Sequence, residues 1–275
     1  MRLTAHVLSS LACVSLSALA SAADNGVEGK TYAIETVAPY DFQGDVRDLP
    51  WVPSREKIGF YRPRPQNTKL TSDLARYEPE LANIPLAPMP APLQNFAGMS
   101  RTDACTGGSC GAGWPPDING DVGPNHYIEA VNSSYAIYSK TGTRLAAFTE
   151  NSLWSGVGTS ACNGNSDGDP VVLYDRLADR WILTHFAFPI VGGIPTTPFY
   201  QCIAASMTGD PVSGGWWLYA IRMDPGGAGL PAVGQLNDYG KFGLWHDCLY
   251  MATNQFQYPA GTYAGVAFAS FSRTG

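Results

Sequence analysis

Two stretches of this chain set oxygen-bearing side chains on alternate residues: Asp117-x-Asn119-x-Asp121 and Asn163-x-Asn165-x-Asp167-x-Asp169. Carboxylate and amide oxygens at that spacing, in glycine-containing loops, can wrap a hard cation such as Ca2+, which takes six to eight oxygens. Neither stretch is an EF-hand. The position where that motif places a bidentate acid holds Ile128 in the first stretch. The same residue types also build tight turns, so a calcium site and a pair of turns are both open readings. A second constellation is Asp121, Asp169 and Asp238, which open three similar runs of sequence. If those runs are innermost strands, the three carboxylates ring the mouth of a central channel. There they would bind a cation or sugar hydroxyls, or hold their own loops by backbone hydrogen bonds.

Other chemistry is thinly supported. Glycoside hydrolysis needs two carboxylates at a defined separation, and sialidase-type sites add an arginine cluster for the substrate carboxylate. Carboxylates are present, but Arg144, Arg176, Arg180 and Arg222 are scattered, and Arg180 is expected to pair with Asp175 across a hairpin. His126, His185 and His246 fall at strand starts or within strands, where packing is the expected role. There is no phosphate-binding loop. The net charge of −6, with no Lys/Arg cluster, argues against a nucleic-acid partner.

The elements that must position these residues are short and β-rich. Charged residues make up only 15% of the chain, while it holds 30 Gly, 21 Pro, 14 Tyr and 7 Trp. That balance favours an all-β protein. The clearest unit runs from Asp169 to Met223. Its strands are predicted at Val171–Tyr174, Arg180–Phe186, Tyr200–Ser206 and Trp216–Ile221, with turn residues between them. Four antiparallel strands joined by hairpins make one blade of a β-propeller. A similar unit precedes it: Asp121 onward, His126–Asn132, Tyr135–Ser139 and Leu145–Thr149. A third begins at Asp238, with strands at Phe242–Trp245, Cys248–Thr253 and Gly265–Phe271. The unit starts lie roughly 50 to 70 residues apart, in the range of propeller repeats with loop insertions. The third unit lacks its fourth strand, and a ring takes four to eight blades. The chain is therefore expected to be an incomplete propeller, closed by missing blades or by another chain.

Residues 1–22 read as an export leader. Arg2 gives a positive start, Leu11–Ala20 is small and apolar, and Ala20-Ser21-Ala22 is a cleavage site. No later segment is long and apolar enough to span a membrane. The expected location is secreted or periplasmic, which makes the cysteines disulfide candidates. Cys105 with Cys110 and Cys162 with Cys202 are the expected pairs, leaving Cys248 as a buried thiol. Residues 23–112 are read as a Pro-rich arm lying on the main domain, with polyproline II at Ile84–Pro92 and a short helix at Thr71–Tyr77. Residues 113–275 are the partial propeller.

Several motifs occur in order: Pro115-Pro116-Asp117-Ile118-Asn119-Gly120-Asp121-Val122-Gly123-Pro124-Asn125-His126-Tyr127, Gly168–Asp175, Ala178–Trp181 and Gly243–Asp247. The pattern resembles that of a family of large secreted bacterial proteins predicted to be β-propellers. The resemblance covers about residues 115–275 and implies fold and export without a particular activity. His246-Asp247-Cys248 departs from it, because the last place usually carries another residue; this agrees with an unpaired Cys248. Ser206–Trp216 also resembles a stretched Asp-box of sialidase-type propellers. There Asp210 would accept backbone N–H bonds across the turn while Trp216 packs beneath.

The functional expectation is a secreted propeller that acts as a binding or scaffold module for carbohydrate or a cell-surface polymer. The alternatives are a glycoside hydrolase or lyase of sialidase-like architecture, and a calcium-stabilised structural surface protein.

Overall fold

The computed structural model describes residues 37–53, 90–100, 102–105, 108–109, 115–158, 160–226 and 232–273, with side chains left out at 104–105 and 108–109. The leader, the proposed helix at Thr71–Tyr77, most of the polyproline stretch, and Cys110 lie outside these residues. The described chain is nearly all β, arranged as several antiparallel sheets, none of them closed into a barrel.

Along the chain the first strand is β1 (Tyr40–Phe42). A two-residue ladder follows, of β2 (Ala104–Cys105) and β3 (Gly108–Ser109). The first large sheet is a meander of β4 (Asn119–Val122), β5 (His126–Val131), β6 (Ser134–Ser139) and β7 (Arg144–Thr149). A single-turn helix, α1 (Glu150–Trp154), follows; Thr149 caps it by accepting the Ser152 N–H. The second sheet holds β8 (Val171–Asp175), β9 (Arg180–Ala187), β12 (Tyr200–Ser206) and β13 (Trp216–Arg222). Between β9 and β12, β10 (Ile190–Val191) and β11 (Ile194–Pro195) form a hairpin whose turn residues, Gly192 and Gly193, both have positive φ. A two-residue turn of that type needs this at both positions. The third sheet is β14 (Gln235–Leu244), β15 (Cys248–Gln257) and β16 (Thr262–Ser272).

The strands predicted between Asp169 and Met223 are thus the observed ones, to within a residue or two at their ends. A fifth strand was not foreseen. β1 comes from the N-terminal region and pairs with β13, Tyr40 opposite Leu218. The rest of residues 37–53 also lies on the sheets. Val46 and Leu49 are buried. The Val46 N–H donates to the Val212 carbonyl, and the Val52 N–H donates to Ser152 Oγ.

Burial follows the alternation of the strands. On β9, Trp181 and Leu183 face the first sheet and join Ile128, Ile137 and Phe148 in the main core. Ile182, one residue out of phase, faces the third sheet with Ile203 and Ile221, meeting Leu249 and Met251. The second sheet is therefore covered on both faces, which is why β9 reads as an almost unbroken apolar run rather than an alternating one. Trp181 and Trp216 are fully buried; large apolar side chains of this kind each contribute roughly 1.5–3 kcal/mol.

The disulfide Cys162–Cys202 is present and ties the loop before β8 to the middle of β12. Cys248 is disulfide-bonded too, so the expectation of a buried free thiol is corrected. Its partner lies outside the described side chains, as does the proposed Cys105–Cys110 pair. The Arg180–Asp175 ion pair does not form either. Arg180 turns its guanidinium to the carbonyls of Ser206 and Met207 and over the Trp217 ring. Asp175 instead pairs with Arg273, just after β16, at 2.5 Å, which links the second and third sheets.

Candidate functional site

Strand β8 contacts both β4 and β14, the first strands of the first and third sheets. Left-handed residues lie two positions before β4 and β8, at Asp117 (φ 39°) and Asp169 (φ 52°), and in the middle of β14, at Tyr239 (φ 40°). Aspartate tolerates this conformation, because its short polar side chain bonds locally. A tyrosine there is an outlier. It sits in the bulge of β14 between Asp238 and Lys241, where the extra residue re-aims the chain.

The bulge places Lys241 Nζ 2.8 Å from the Tyr239 ring centroid, a cation–π contact. Desolvation against that surface pushes the Lys241 pKa down, while the carboxylates of Asp169, Asp117 and Asp238 oppose the shift. The Tyr239 hydroxyl is raised, by desolvation first and then by Asp117 and Asp169. Asp169 and Asp238 are themselves buried. Asp117 is held by Asn132, whose Nδ2 donates to its carboxylate at 3.0 Å. Asp117 and Asp169, on the turns into β4 and β8, and Asp238 of β14 thus form an electrostatic cluster around the exposed Lys241 ammonium and the Tyr239 ring.

Two of the three aspartates expected at a channel mouth, Asp169 and Asp238, are in this cluster. Asp121 is not, and Asp117 joins them instead. The strand registers explain the exchange. Asp238 lies opposite Asn254, five residues beyond the start of the hairpin partner Leu249. Counting the same way from Tyr127, the partner of Val122, reaches Asn132, the residue that holds Asp117. Asp121 is further along β4 and has a different task. Its Oδ2 accepts the Tyr174 N–H at 2.8 Å, and Asn119 Oδ1 accepts the Val172 N–H at 2.7 Å. These two side chains join β4 to the first strand of the second sheet.

The other stretch of alternating oxygens is also bound into its own backbone. Asn163 and Asn165 donate from Nδ2 to the carbonyls of Gly158 and Ala161, and Asp167 Oδ2 accepts the Phe188 N–H at 2.8 Å. Among the described residues, no three His, Cys, Asp or Glu side chains converge as they would around a metal ion.

The Asp210 turn has the predicted chemistry. Asp210 accepts the Val212 N–H and the Ser213 hydroxyl, while Trp216, fully buried, donates its indole N–H to the Pro211 carbonyl. Arg222 pairs with Asp224, and Arg144 lies near Asp103, so the described arginines form no cluster for a substrate carboxylate. Gly107–Gly111 spells Gly-x-Ser-x-Gly, with Ser109 in the two-residue strand β3; the residues that follow it lie outside the described ones.

A buried polar chain was not anticipated. Asn237 Nδ2 donates to Gln201 Oε1 at 3.0 Å, and Gln201 Nε2 donates to the His185 carbonyl at 2.9 Å. The His185 ring stands edge-on to Trp154, and burial pushes its pKa down to about 3. The available signal was polar residues at inward-facing strand positions, but single polar letters inside apolar runs do not reveal their partners.

Compared with protein-family models, curated proteins and solved structures, the chain finds no match.

Proposed function

We propose that this chain is the binding part of an exported β-propeller, and that the cluster of Asp117, Asp169, Asp238, Lys241 and Tyr239 engages the hydroxyl groups of a neutral carbohydrate or cell-surface polymer. The sheets act as blades, and the cluster lies where their first strands meet. One observation carries the reading: Lys241 lies over the Tyr239 ring within electrostatic reach of Asp117, Asp169 and Asp238, the last two of them buried. Carboxylates accept from sugar hydroxyls, and the ammonium donates to them. The net charge of −6 disfavours an acidic polymer and leaves a neutral one. The leader at residues 1–22 and the Cys162–Cys202 bond fit an oxidising compartment outside the cytoplasm.

The test is retention on a panel of neutral and acidic polysaccharides, followed by titration of the best ligand. Retention on a neutral polymer is expected. Lys241→Ala should weaken binding by about tenfold, equivalent to ~1.4 kcal/mol, with the fold intact. Equal retention of the parent and of Lys241→Ala, or retention only on acidic polymers, would reject the site.

A further inference from the structure

The layer between the second and third sheets is only partly apolar. Cross-strand partners share a face. On the third sheet Met251 faces the second sheet with Phe242 and Ala269, while Tyr250, Val266 and Phe268 point the other way and are exposed. Thr253 and Gln255 follow Met251 at two-residue steps, so they face the second sheet too, and Asn237 is the cross-strand partner of Gln255. On the second sheet, Thr184 stands opposite Ile203, on the face turned to the third sheet. Thr184, Gln201, Asn237, Thr253 and Gln255 are each at most 4% exposed.

The amides in this layer have fixed orientations. The His185 carbonyl only accepts, so Gln201 must turn Nε2 to it, at 2.9 Å. Gln201 Oε1 then needs a donor and takes Asn237 Nδ2 at 3.0 Å, which turns Asn237 Oδ1 away. Gln255 Nε2 donates to Thr253 Oγ1 at 2.6 Å and leans toward the Asn254 carbonyl at 3.4 Å. Three oxygens are left over. Asn237 Oδ1, Gln255 Oε1 and Thr184 Oγ1 are buried with no hydrogen-bond partner among the described residues. An acceptor buried without a donor is costly.

We infer that these three groups hold one internal water between the second and third sheets. The two amide oxygens can only accept, and a water offers two O–H donors. One of its lone pairs accepts the Thr184 hydroxyl. Three bonds are what a buried water usually makes. A cation fits less well, because it would bring a full charge to a layer whose three oxygens are all neutral. A side chain from elsewhere in the chain would have to reach between two packed sheets. The position also bears on the candidate site. Asn237 precedes Asp238 in β14, and Thr184 pairs with Val171, two residues after Asp169. The water thus ties together the strands behind those two aspartates. The inference does not rest on what the site binds, so loss of sugar binding would leave it standing.

The test uses the intact chain. A crystal structure that resolves ordered solvent is combined with oxygen-17 relaxation dispersion of the solvent, which counts waters held for long times in the interior. One water within about 3.2 Å of all three oxygens is expected. Thr184→Val keeps the side-chain shape and removes one bond, so that water should exchange faster. Thr184→Val combined with Gln255→Met leaves it one bond, fewer than a buried water needs, and the dispersion should fall by one water. An ion at that position, a side chain of this chain in its place, the three groups bonded to one another, or separate waters on separate oxygens would overturn the inference. So would a dispersion unchanged in both variants. If the double variant does not fold, Thr184→Val decides alone: faster exchange supports the inference and an unchanged rate overturns it.

Discussion

The outer faces of the first and third sheets sit at opposite ends of one stack and are treated differently. The first is covered. Phe96 packs on Tyr127 and Tyr138 with ring centroids 6.1 and 5.4 Å away, Met99 is buried beside Ala136 and Val131, and the Met99 N–H donates to Glu129 at 2.6 Å. Gly142 is part of that seat, since a Cβ there would stand 2.7 Å from the Phe96 ring. The third face has similar apolar content and no such cover among the described residues. The contrast shows that a cover is not a generic need met by any nearby loop. It is built residue by residue, and where it has been built even a glycine is shaped to it.

The sharpest way to break the comparison is to truncate the same residue type at both ends. Phe96→Ala should cost about 2–3 kcal/mol, the range for removing a well-packed but not fully buried ring. If the third face is also covered in the whole protein, Phe268→Ala costs a similar amount. If it is bare, the cost stays within about 0.5 kcal/mol. Denaturant midpoints of the two variants read this directly.

Next comes acid, which probes the sheet covered on both faces. His185 is held neutral by burial, with a folded pKa of about 3. The unfolded chain takes up that proton below about 6.5 while the folded one does not, so stability falls as pH drops from 6.5 toward 3. Between pH 7 and pH 5 the loss is about 2 kcal/mol from this residue. His185→Gln should remove most of that slope, whatever it does to stability at pH 7.

Asp121→Ala probes the joint between the first and second sheets. It strands the Tyr174 N–H and should cost about 1–2 kcal/mol, seen as a lower urea midpoint.

The smallest effect belongs to the cover itself. Burial raises the Glu129 pKa, more than its bond to Met99 lowers it. A raised carboxyl contributes stability that is present below the unfolded value and is lost as pH rises through the folded one. Its sign is opposite to that of His185. Glu129→Gln should flatten this component, read as the variant-minus-parent difference across pH 4 to 7.

The strands from Val171 to Arg222 were legible because β-rich runs alternate with Gly, Pro and Asp turns, a local signal. What failed was everything decided between elements. Asp121 and Asp117 look equivalent until the hairpin register is known, and only then does Asp117 match Asp238 in position. Arg180 and Asp175 are good cross-strand neighbours, yet Arg273, nearly a hundred residues away in sequence, takes the aspartate. The Cys248 bond was invisible for the same reason. Lys241 was passed over because its importance comes from a bulge that no local pattern announces.

The pairing of β1 with β13 also has a kinetic side. Tyr40 is made well before its partner Leu218, about 180 residues further along the chain. At the usual pace of synthesis the wait is roughly 10 to 35 s. Throughout that time the edge of the second sheet does not exist, and such long-range closures are slow even once both ends are available. The N-terminal region therefore stays unpaired while the rest of the chain emerges. The same segment is exposed to proteases until the last strand of the second sheet arrives.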